Sequence, residues 1–76
     1  MATIIVEGKL AFVKAIFDVT NVNLYEAKQI ADEIAPQTNV EVTFDPKKFG
    51  WTIETLKEIV TIANSFGDRV KVISYE

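Results

Sequence analysis

The stretch Leu10–Pro36, LAFVKAIFDVTNVNLYEAKQIADEIAP, holds two helical periods separated by a short interruption. In its first half Phe12, Val13, Ile16 and Phe17 fall at the i, i+1, i+4, i+5 spacing of one helix face, which predicts a helix over Leu10–Val19. Thr20-Asn21-Val22-Asn23 breaks that pattern. Asn23 is suited to begin the next helix, because its side-chain oxygen can accept a hydrogen bond from an N–H of the first turn. Glu26, three residues on, occupies the capping-box position. Leu24, Ala27, Ile30, Ala31 and Ile34 then form an apolar stripe at helical spacing. Pro36 ends it, since the residue before a proline is driven out of the helical region. Two helices linked so closely predict a helical hairpin.

Strands flank this hairpin. Thr3 to Glu7 is rich in β-branched residues and stops at Gly8. Asn39 to Phe44 alternates, with Val40, Val42 and Phe44 on one face and Glu41 and Thr43 on the other. Asp45-Pro46 closes that strand and opens a loop running to Trp51. Thr52 can cap a third helix whose face is Leu56, Ile59, Val60, Ala63 and Phe66, and Gly67 suits the left-handed position after it. Arg69 to Tyr75 is a third strand, with Val70 and Val72 on one face and Lys71, Ile73 and Tyr75 on the other.

The order β-α-α-β-α-β predicts an α+β two-layer sandwich. The second strand, third helix and third strand form a right-handed crossover with parallel strands. The first strand, inserted between them, makes every neighbouring pair antiparallel, in strand order 2-1-3, with the three helices on one face. Val6, Val42 and Val72 should then face the helices. Ile5, Glu41, Thr43, Lys71, Ile73 and Tyr75 are expected to face water. Ile5, Ile73 and Tyr75 would make a small apolar patch there. It reads either as scattered surface apolars or as an interface for a dimer or another partner.

A chain of 76 residues fits one domain, residues 1–76. Its 49% hydrophobic and 25% charged residues are a globular composition. With neither cysteine nor histidine, it lacks disulfides, thiolate metal sites, the commonest zinc ligand and the commonest general base. A net charge of −3 favours solubility and argues against nucleic-acid binding. Met1–Val6 is apolar but short and interrupted by Glu7 and Lys9. Neither a signal peptide nor a membrane span is therefore expected, and the cytoplasm is the expected location.

No constellation points to catalysis. Asp32 and Glu33 are adjacent and so do not face each other on a helix. Glu54 and Glu58 share a face but lack a third ligand, and read better as a solvated surface beside Lys57. Gly8 stands alone, outside any phosphate-binding loop, and Ser65 and Ser74 have no activating base nearby. No cofactor, no metal and no catalytic residue is expected, and the chain reads as a non-enzyme.

The aromatics carry more information. Trp51 is either a binding anchor or a staple packed against the first turn of the third helix. Phe17 and Tyr25 either pack inside the hairpin or form part of a contact surface. Lys47 and Lys48 could touch phosphate, or could simply be solvated.

Leu10–Pro36 also resembles the C-terminal domain of the bacterial ribosomal stalk protein. Lys14, Thr20, Leu24, Glu26, Ala27 and Lys28 match that family's lysine-bearing helix, short turn and Glu-Ala-Lys run. Gly67, Val70 and Val72 match its last glycine turn and valine-rich strand. The resemblance covers most of the chain and implies the same element order. In the family, basic residues around the hairpin recruit translational GTPases, and Lys14 and Lys28 keep that character. Phe17 and Tyr25 stand where the family carries cations, and Asn21-Val22-Asn23 replaces its glycine-flanked turn. These changes weaken attraction to an acidic partner and favour an apolar one. A free-standing module without the family's dimerising domain and hinge is expected, and the Asp45–Trp51 loop is longer than its counterpart. A protease adaptor that binds peptides uses the same architecture.

The resulting expectation is a small acidic protein-interaction module binding a protein partner through a hairpin surface of Lys14, Phe17, Tyr25 and Lys28. A phage-encoded or accessory protein acting on a host or ribosome-associated protein suits that description. The alternatives are a translation-associated protein that recruits GTPases and a homodimeric structural protein using the open sheet face.

Overall fold

The computed structural model describes residues 1–75. The elements run β1 (Ala2–Val6), α1 (Lys9–Thr20), α2 (Leu24–Ile34), β2 (Glu41–Phe44), a single 3₁₀ turn (Pro46–Phe49), α3 (Ile53–Asn64) and β3 (Val70–Tyr75). The strands form an antiparallel sheet in the order β2-β1-β3, the expected arrangement.

Local chemistry sets the element ends. Asn21, at φ 58°, ends α1 in the left-handed region, which asparagine tolerates better than most residues. Asn23 Oδ1 accepts from the Glu26 N–H at 2.7 Å and starts α2. Thr52 Oγ1 accepts from the Thr55 N–H at 3.1 Å and starts α3. Within the loop read from the sequence, Asp45 Oδ1 accepts from the Lys47 N–H at 3.0 Å, and Pro46 supplies the φ that the 3₁₀ turn needs.

The core lies between the helices and one face of the sheet. Ile4, Val6, Phe12, Ile16, Leu56 and Ile59 are fully buried. Burying each of these side chains contributes about 1.5–3 kcal/mol. Helix α1 packs against both α2 and α3. The buried Ala15, Ala27, Ala31 and Ala63 keep the helical surfaces small, so the helices can approach closely.

Asn64, the last residue of α3, clasps the start of β3. Its Oδ1 accepts from the N–H groups of Arg69 (2.9 Å) and Val70 (2.8 Å), and its Nδ2 donates to the Val70 carbonyl at 2.9 Å. The Arg69 carbonyl in turn accepts from the N–H groups of Glu7 (2.7 Å) and Gly8 (3.0 Å). The Arg69 side chain runs so close over Gly8 that a Cβ there would meet its Cδ at 2.5 Å. Gly67 holds φ at 111° in the turn between, a value that glycine adopts at little cost.

Several expectations are corrected. Val40 and Phe66, read as facing inward on the second strand and the third helix, lie outside β2 and α3 and are 44% and 51% exposed. Asn39, in the left-handed region at φ 61°, turns the chain before Val40, and α3 ends at Asn64, two residues short of Phe66. The alternation along β3 does not persist to its end. Thr3 pairs with Ser74, but Ile4 pairs with Val72, so Ile73 is one residue too many for the ladder. This bulge moves Tyr75 opposite Ala2, whose side chain is fully buried, and cross-strand partners share a face. Tyr75 therefore packs against the core and does not join Ile5 and Ile73 on the open face; the expected three-residue patch does not form. Leu24 was expected within the buried stripe of α2 and is 58% exposed. It is the first residue of the helix, and a helical side chain leans toward the N-terminus, here off the end of the layer.

Among the described residues, no helix is long and apolar enough to cross a membrane.

Candidate functional site

An apolar groove of about 570 Å³ runs along the outside of the α1–α2 hairpin. The nearly buried Val13 lies on its floor, with Leu10 on the α1 wall and Leu24 and Tyr25 on the α2 wall. The exposures are high for such side chains: 71% for Leu10, 58% for Leu24 and 71% for Tyr25. Isolated exposed apolars are ordinary, but several around one concavity are not.

Polar groups frame the groove. Where α1 begins and α2 ends, Lys9 forms an ion pair with Asp32. Lys28 lies on the α2 wall. The Tyr25 hydroxyl accepts from Gln29 Nε2 at 3.1 Å, one turn further along α2, which limits where the ring can swing. Tyr25 thus presents an aromatic face with its polar end already engaged. Rigid amphipathic rings of this kind are favoured at binding surfaces because little side-chain entropy is lost on contact.

The four hairpin residues singled out from the sequence are divided by the structure. Tyr25 and Lys28 line the groove. Phe17 is 41% exposed and lies four residues beyond Val13 and seven beyond Leu10, so it extends the same ridge of α1 toward the hairpin turn. Lys14 leans the other way, toward α3, with its Nζ 6.0 Å from the centre of the exposed Phe66 ring. On the sheet, Ile5 pairs with Glu41 and Lys71 on the open face, and Ile73 is the half-exposed bulge residue.

Leu10, Val13 and Leu24 complete the groove beyond the residues that the sequence pattern marks. Leu10 carried a usable signal: at 100° per residue it lies about 200° round the helix from Phe12, opposite the core-facing side. Leu24 carried none, because its angular position matches that of buried Ala31.

Trp51 is buried. It forms an edge-to-face pair with Phe44 at 6.3 Å and a tilted pair with Phe49 at 5.2 Å. It directly precedes the N-cap Thr52, and Leu56, on the first turn of α3, belongs to the same buried cluster. This is the staple arrangement, in which the tryptophan fixes the entry angle of the helix. Lys48 is tied down as well: its Nζ donates to Glu33 at 2.9 Å, joining the 3₁₀ turn to α2 across a second, more polar groove.

Among the described residues, no group of three or more acidic side chains is placed to hold a metal ion. Comparison of the chain with family models, curated proteins and solved structures returns no significant match.

Proposed function

We propose that this chain is a non-catalytic protein-interaction module that binds its partner through the α1–α2 groove. The observation that supports this most strongly is the exposure of Leu10, Leu24 and Tyr25 around a shared concavity. Leaving three large apolar side chains mostly in water forgoes part of the roughly 1.5–3 kcal/mol per side chain that full burial supplies, and contact with a partner recovers some of it. The complementary occupant is an apolar or aromatic side chain on a partner segment, seated over Val13 between the two helices.

The test is affinity capture from the cells that express the chain, using the wild type and a Leu10→Lys, Tyr25→Ala variant side by side. A partner retained by the wild type and lost by the variant supports the reading. Retention unchanged by the two substitutions contradicts it.

A further inference from the structure

The open face of the sheet carries charge in a self-complementary order. Ile5, on the central strand, is flanked in direct register by Glu41 on β2 and Lys71 on β3. One row along, Thr3 is flanked by Thr43 and Ser74, and the Thr3 and Thr43 hydroxyls are 3.0 Å apart. Neighbouring strands lie about 4.8 Å apart, which leaves Glu41 and Lys71 on opposite sides of Ile5 at roughly twice that spacing. Among the described residues, neither belongs to an ion pair.

We propose that this face pairs with a second copy of the chain about a two-fold axis running along β1. Rotation about that axis exchanges β2 and β3 while preserving position along the strands. Ile5 then meets Ile5, and each Glu41 lies over the Lys71 of the second copy, so one interface contains the pair twice. The hydroxyl row behaves alike, Thr43 lying over Ser74. A two-fold axis across the strands would instead set Glu41 over Glu41 and Lys71 over Lys71. The charges thus select one axis. Stacked sheets sit about 10 Å apart, a gap that a glutamate and a lysine reach across together.

The face is small. Three strands of this length cover roughly 14 by 17 Å, well short of the ~800 Å² per partner of a standard stable interface. The dimer is accordingly weak and concentration-dependent. It is independent of the hairpin groove, which lies in the helical layer, so both surfaces can be occupied together.

Sedimentation of the whole chain up to a high concentration, chosen because the interface is small and weak, tests the proposal. The wild type should pass from monomer to dimer. Glu41→Lys and Lys71→Glu should each weaken association by about tenfold or more, because each sets like charges in contact twice. The double exchange, Glu41→Lys with Lys71→Glu, should restore it. Net-charge effects give a different pattern. Glu41→Lys lowers the magnitude of the −3 charge and would promote association if overall repulsion governed it, whereas Lys71→Glu raises it. Circular dichroism confirms that each variant is folded. A wild type that stays monomeric throughout, or a dimer that both single variants leave intact, overturns the proposal.

Discussion

Tyr75 stands directly across from Ala2 in the β1–β3 ladder, and Lys57 of α3 holds its ammonium 5.5 Å from the centre of the Tyr75 ring. The bulge at Ile73 creates this relationship by turning the end of β3 toward the helices. The phenol is consequently desolvated, and burial raises its pKa above the ordinary 10.0. A raised pKa in the folded state means that the neutral phenol's contribution to stability is fully present below pH 10. It is lost as pH climbs through the folded-state value. The urea midpoint of the wild type should therefore fall more steeply above pH 10 than that of Tyr75→Phe, while below pH 9 the two curves should run parallel (about one unit clear of the ordinary phenol value). Urea titrations across that range check this.

Asn64 is the joint between α3 and β3. Replacing it with alanine removes three hydrogen bonds and leaves the N–H groups of Arg69 and Val70 without their acceptor. At about 1 kcal/mol per bond, Asn64→Ala should cost ~2–3 kcal/mol, read as a lower urea midpoint at unchanged slope. Asn64→Asp keeps both acceptor bonds but loses the donor to the Val70 carbonyl, and should fall between alanine and the wild type.

Trp51 is the chain's sole tryptophan, so its fluorescence reports directly on the docking of the 3₁₀ turn and α3. Native emission should be blue-shifted and move red on unfolding. Trp51→Ala should cost about 3–5 kcal/mol, a large share of the stability of so small a domain. Trp51→Phe should cost distinctly less, since it keeps an aromatic ring against Phe44 and Phe49.

The exposed groove residues should behave in the opposite way. Leu10→Ser and Leu24→Ser should each change folding stability by no more than about 0.5 kcal/mol, because neither is part of the buried core. Loss of more than about 2 kcal/mol from either would show it to be a packing residue. Thermal or urea unfolding distinguishes the two outcomes.

These residues also show how far the sequence could be read. Asn23 and Thr52 announced their helices because a cap depends on chemistry local to a few residues. The strand order followed from connection length and handedness, which depend only on element order. Tyr75 was misplaced because a period of two assumes a regular ladder, and a bulge is decided by pairing with a distant strand. The Asn64 clasp was invisible for a related reason: its partners lie five and six residues away across a turn whose course no local pattern specifies. At the candidate site Tyr25 and Lys28 were legible, whereas Leu24 was not. Hydrophobic periodicity counts faces of a helix, and it does not register where the neighbouring layer ends.

A partner docked in the proposed α1–α2 groove should perturb the backbone amides around it, which chemical-shift mapping of the labelled chain on addition of the captured partner reads residue by residue. The largest changes should cluster at Leu10, Val13, Leu24, Tyr25 and Lys28, with Phe17 at the margin. Changes concentrated on Thr3, Ile5, Glu41 and Lys71, with the hairpin unmoved, would contradict it.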